Sequence, residues 1–147
     1  MIGCLLGLVA CQPSLPHIDE QKEITPVIYP DYKEVTIPVN VAPLNFGLRD
    51  VVEDAVAVFS FQEHSISVWL KDSTFQIPLK AWQELLQQAK GKSLEVSVSV
   101  KEDGKWMGYK AFDIYVASEP MDAYLAYRKI APGYELWKNM GIYQRNL

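Results

Sequence analysis

Apolar residues recur at every second position through most of residues 32–118, the spacing that sends successive side chains to opposite faces of a β-strand. Val35, Ile37 and Val39 alternate with polar neighbours, but Pro38 has no N–H to donate and marks an edge strand. Leu44, Phe46 and Leu48 repeat the pattern. Ala55 to Phe61 is instead a continuous apolar run rich in Val and Phe, as a central strand requires. Ile66, Val68 and Leu70 alternate again, a turn follows at Lys71-Asp72-Ser73, and Phe75 and Ile77 resume. The clearest strand covers 93–101: Leu94, Val96, Val98 and Val100 point one way, three serines and Glu95 the other. Asp103-Gly104 supplies the dipeptide of a tight hairpin, whose two central residues need positive φ. The return strand runs from Lys105 to about Val116, with Phe112, Ile114 and Val116 on one face. Trp106 shares their parity, but so does Lys110, which predicts a bulge near Lys110.

Helical spacing occurs once. Leu79, Trp82, Leu85, Leu86 and Ala89 fall on one side of a helix, Pro78 suits its first turn, and Gly91 stands where a left-handed cap belongs. About seven short strands and one helix predict a mainly β fold. The expected architecture is a small immunoglobulin- or fibronectin-like β-sandwich at 32–118, with a crossover helix covering one open end of the core. Such a likeness is of architecture and carries no function.

The chain opens with MIGCLLGLVACQPSLP. At 1.5 Å per residue this apolar run covers roughly half the ~30 Å of a bilayer core, so it is no spanning helix. It has the form of a secretory signal ending in small residues. Leu8-Val9-Ala10-Cys11 resembles the lipobox of bacterial lipoproteins, which implies cleavage before Cys11 and acyl chains on that cysteine. Residues 1–10 are then signal peptide, and several chains at about 0.8 kcal/mol per buried methylene would make the anchor permanent. No Lys or Arg precedes Lys22, so either the true start lies upstream or the run is a buried segment of a cytosolic domain. Pro13, Pro16, Pro26 and Pro30 mark residues 11–31 as an extended linker holding the domain off the lipid. Gln12 stands where some inner-membrane lipoproteins carry Asp, which by family analogy favours the outer membrane.

With 147 residues, 49% of them hydrophobic, the chain has room for one domain with a real core. Its formal charge of −4 and lack of a basic stripe give no support for nucleic-acid binding. Cys4 and Cys11 are the only cysteines, and cleavage discards Cys4, leaving no thiol for a disulfide, redox work or zinc. His17, in His17-Ile18-Asp19-Glu20, lies in the linker without a rigid frame for a metal. His64 sits in Gln62-Glu63-His64-Ser65, a hairpin turn whose adjacent side chains diverge too far for a triad. Asp50, Glu53 and Asp54 flank Val51-Val52 as a solvated acidic turn rather than the paired carboxylates of a glycosidase. No catalytic residue, metal site or cofactor is therefore assigned. Trp69 has the parity of Ser65 and Ser67, opposite Ile66, Val68 and Leu70, which puts it on the outer face. There it is either a ligand platform, stacking on a sugar ring for example, or packed under the C-terminal segment.

Alternation is lost after Val116. Residues 119–147 carry Tyr124, Tyr127, Tyr134, Trp137 and Tyr143 interspersed with Arg128, Lys129, Lys138 and Arg145. Pro132-Gly133 marks a turn, and Glu135 to Met140 has the makings of a turn of helix. So many large rings need a surface, either the sandwich itself or a structure outside this chain. WQELLQQAKGKSLEVSVSVKEDGKW, followed by AYLAYRKIAPGYELWKNMGIYQRNL, resembles the N-terminal part of TolB-like β-propeller lipoproteins, some labelled cytochrome c biosynthesis proteins. The resemblance covers about Tyr29 to Leu147. It implies a β-rich domain leading into a propeller, with the aromatic segment starting the first blade and the chain ending where the propeller should begin. A CxxCH-type haem motif is absent, so no haem role carries over. The expected function is a non-catalytic envelope lipoprotein, a structural or interaction module for a propeller or an envelope partner. The alternative is a glycan-binding surface lipoprotein using Trp69.

Overall fold

The computed structural model describes residues 14–129 and 141–146. Cys11, the signal run, Pro132-Gly133, Tyr134, Trp137 and the helical turn expected at Glu135 to Met140 lie outside the described residues. Along the chain come β1 (Glu20–Gln21), β2 (Ile28–Tyr29), β3 (Thr36–Ile37), β4 (Gly47–Leu48), β5 (Asp54–Phe61) and β6 (His64–Lys71). After them follow β7 (Thr74–Phe75), α1 (Leu79–Gln88), β8 (Ser93–Glu102), β9 (Lys105–Gly108), β10 (Phe112–Val116), β11 (Tyr124–Lys129) and β12 (Gly141–Asn146). The architecture is mainly β with one helix and open sheets, in keeping with a small sandwich.

The main sheet runs β1-β9-β8-β5-β6-β7, with β10 beside β8 and β3 beside β10. β5 is central, as its unbroken apolar run requires. On its core face Ala57 stands opposite Val68 and Val98, and Phe59 opposite Ile66 and Val96. Phe59 meets Trp82 of α1 edge-on at 5.7 Å, and Phe46 lies between Phe59 and Phe75 at 6.1 and 5.0 Å. The Trp82 indole N–H donates to the Val41 carbonyl at 3.1 Å, which satisfies the one polar atom of a wholly buried ring.

Turn chemistry falls where the residues demand it. Asp103 and Gly104 have φ of 50° and 77°, and Gly91 beyond the helix has φ of 71°. α1 packs against β5 and β6 through Trp82, Leu85 and Leu86. Leu79 shares their side by angle yet is exposed. Helical spacing fixes the side on which a residue lies, not how far the neighbouring sheet extends beneath it.

The bulge expected near Lys110 is a complete break in the return strand. β9 pairs with the second half of β8, Glu102 to Ser99, and β10 with the first half, Val96 to Ser93. Between them the Tyr109 N–H still reaches the Val98 carbonyl, whereas the Lys110 N–H turns away to the Ile24 carbonyl at 3.0 Å. Parity reverses across the break: Phe112, Ile114 and Val116 enter the core, and Trp106 goes to the outer face with Lys101, its cross-strand partner.

The stretch expected as the last part of the linker lies on the body. β1 runs parallel to β9, with Glu20 opposite Met107, and the Asp19 carboxylate accepts from the Trp106 N–H at 2.8 Å. β2 pairs with β4, Ile28 enters the core and Pro26 is fully buried. A two-residue edge strand is held mainly by backbone groups, so its side chains need not alternate. That is why composition reads as linker there.

Candidate functional site

Three surfaces bring together the residues that the sequence singles out. The first is the outer face of the main sheet. Trp69 stands opposite Val56, and Val56 opposite Ser99, so the indole lies on the serine-bearing face as its parity dictates. It is half-buried against Trp106, ring centroids 5.8 Å apart and planes at 85°. Val56 on the same face is only 2% exposed, which accounts for the missing alternation in β5. The indole N–H of Trp69 is enclosed without a hydrogen-bond partner among the described residues. The ring is thus part of a small aromatic cluster with Trp106, which the break at Lys110 brings to the same face.

The second surface is a cleft of about 280 Å³ between α1 and the start of β6. His64 and Ser65 line one side, Glu84 and Gln88 the other, over a floor of Ile66 and Leu85. No hydrogen bond joins His64, Ser65 and Glu84 among the described residues, so no relay is assembled. Glu84 faces Lys80 at 4.0 Å on the exposed side of the helix. The acidic turn contributes even less convergence: Glu53 accepts from the Gly104 N–H at 3.3 Å, while Asp54 accepts from the Ala55 N–H at 2.8 Å. Asp19 and Glu20 are engaged with β9 and Lys105, and His17 is exposed. Among the described residues no group of three His, Cys, Asp or Glu is placed to hold a metal ion.

An electrostatic clasp fixes the N-terminal strand. Lys22 Nζ lies 3.1 Å from both carboxylate oxygens of Glu102, 3.3 Å from the Tyr109 hydroxyl and 4.6 Å from the centre of that ring. Partial desolvation pushes the ammonium pKa down, but the hydrogen bonds to Glu102 and Tyr109 outweigh it and hold the group above the usual lysine value.

The third surface is the pair β11 and β12. They run antiparallel from Tyr124 opposite Asn146 to Lys129 opposite Gly141 and form a sheet of their own. No other strand among the described residues pairs with either. Directly opposed residues share a face, so Tyr124, Ala126, Arg128, Ile142 and Gln144 lie on one side of the ribbon. Leu125, Tyr127, Tyr143 and Arg145 lie on the other, where Tyr127 and Tyr143 stack with ring centroids 5.8 Å apart. Both faces meet solvent: Tyr124 is 56% exposed and Ile142 84% on one, Leu125 48% and Tyr127 45% on the other. At its root, Asn40 clamps the chain through its side-chain amide, accepting from the Met121 N–H at 2.7 Å and donating to the Met121 carbonyl at 2.9 Å.

Comparison with protein-family models, curated proteins and solved structures finds no match. The grounds for function are therefore the surfaces themselves. Of the three, the ribbon departs furthest from what a self-sufficient domain presents. An isolated two-stranded hairpin is marginal in water, and rings exposed on both of its faces ask for a covering structure. No helix among the described residues is long and apolar enough to cross a membrane.

Proposed function

We propose that this chain is a non-catalytic lipoprotein of the bacterial cell envelope, in the outer membrane, anchored by acyl chains on Cys11. Its β-body acts as a structural or protein-interaction module that supports a TolB-like propeller or another envelope protein. The observation that carries the proposal is the β11–β12 ribbon: six-residue strands, aromatic on both faces, paired only with each other among the described residues. Resemblance to the N-terminal part of TolB-like lipoproteins supports the same use of this segment, since there it leads into a propeller. The lipobox-like Leu8-Val9-Ala10-Cys11 supports the location.

Glycan binding through Trp69 has less support. Stacking on a sugar needs an open ring face, and this indole is half-buried against Trp106.

A photo-crosslinking residue placed at Tyr127 or Tyr143, and at Ser67 on the outer sheet face, tests the proposal in the native envelope. The expected result is a discrete protein adduct from the ribbon positions and none from Ser67. Adducts from Ser67 alone, or none anywhere, would remove the basis for a ribbon-centred module.

A further inference from the structure

We propose that the ribbon takes its partner by strand addition: an extended, acidic segment of a partner protein pairs with the open edge of β11. The proposal rests on the reading of the ribbon as an interaction element and names the chemistry of what it binds.

The edges of the main sheet differ from those of the ribbon in one respect that matters for strand addition. β1, β3 and β7 are each two residues long, and Pro38 follows β3 directly. Such short, proline-marked edges are how folded proteins discourage foreign strands. β11 has six residues in continuous register, no proline and no bulge, and its far edge pairs with no strand among the described residues. Its backbone donors and acceptors on that side form a ready template.

Charge selects the occupant. The strands of the ribbon contain Arg128, Lys129 and Arg145 and no Asp or Glu, on a chain whose total is −4, so the remaining residues sum to −7. Arg128, opposite Ile142, lies on one face of the ribbon and Arg145, opposite Leu125, on the other, placing a cation on each side. An added strand with carboxylates on both faces would meet one on each. A second copy of the ribbon would instead bring three further cations to the first three. A planar lipid surface covers one face only, whereas Tyr124 and Ile142 on one side and Leu125 and Tyr127 on the other are all exposed.

The test uses the full chain and two short capped peptides, one repeating valine-glutamate-glutamate and one repeating valine-lysine-lysine, so that charged side chains fall on both faces of the added strand. Amide hydrogen exchange is followed residue by residue, with sedimentation and with phosphatidylglycerol-containing vesicles as separate arms. The valine–glutamate peptide is expected to slow exchange at Tyr124–Lys129, with roughly tenfold tighter binding than the lysine peptide and a loss of that margin in salt. The double variant Arg128→Glu, Arg145→Glu, which alters exposed positions, should reverse the preference. Equal binding of both peptides, protection confined to the main sheet, concentration-dependent dimerisation through the ribbon, or protection by vesicles in place of peptide would each overturn the proposal. Crosslinks from Tyr127 that persist in the double variant, with no peptide binding, would defeat strand addition by an acidic segment while leaving the interaction module standing.

Discussion

At the scale of single residues, Trp82 and Gly47 carry the sharpest expectations. Trp82 fills the centre of the core between α1 and Phe59, and its N–H is satisfied by the Val41 carbonyl. Trp82→Ala should destabilise the chain by about 3–5 kcal/mol through the cavity it leaves. Trp82→Phe keeps most of the volume but strips the donor from that carbonyl, for a loss of about 1–3 kcal/mol. Urea unfolding of both variants checks the order. Gly47 is tightly constrained: a Cβ there would lie 2.5 Å from the Ser73 carbonyl oxygen, a backbone atom that cannot swing aside. Gly47→Ala should therefore cost about 1–3 kcal/mol and shift the same unfolding midpoint downward. Trp82 was legible as core from its helical spacing, whereas nothing local to Gly47 betrays the approach of Ser73, which arises from the bridge between Phe46 and Phe75.

At the scale of elements, β1 is held to β9 by few backbone pairs and by the Lys22 clasp. The pKa of Lys22 is raised in the folded chain, so its contribution is fully present below the ordinary lysine value of 10.5 and fades as pH rises through the raised value. Lys22→Met should lower stability by at most about 1 kcal/mol at neutral pH, because the pair is partly solvated. The difference in melting temperature between the two proteins should shrink above about pH 10.5. Strands with one buried face were readable from alternation, β6 and β8 above all, and β5 from its apolar run. Two kinds of element were not. β1 and β2 are too short to show a period, and β11 and β12 carry apolar residues on both faces, so no alternation marks them. Trp69 lies on the outer face as its parity requires, and the irregular segment at Tyr109–Ala111, expected as a bulge near Lys110, resets the parity of β9 and sets Trp106 beside it.

For the whole molecule, anchorage and display are separable. Cys11→Ala should release the protein from membrane fractions and abolish palmitate labelling while leaving its unfolding curve unchanged, since among the described residues the first hydrogen bonds to the body are those of Asp19. A chain that stays membrane-bound and unlabelled would contradict the lipid anchor. A well-packed body is thus proposed to hold out a ribbon that awaits its cover. Residue-resolved amide hydrogen exchange on the isolated full chain tests that proposal most directly. Amides of β5, β6 and β8 should exchange slowly, and those of Tyr124–Lys129 and Gly141–Asn146 orders of magnitude faster. A ribbon as protected as β5 in the isolated chain would mean that it is already covered, and the proposed role would fail.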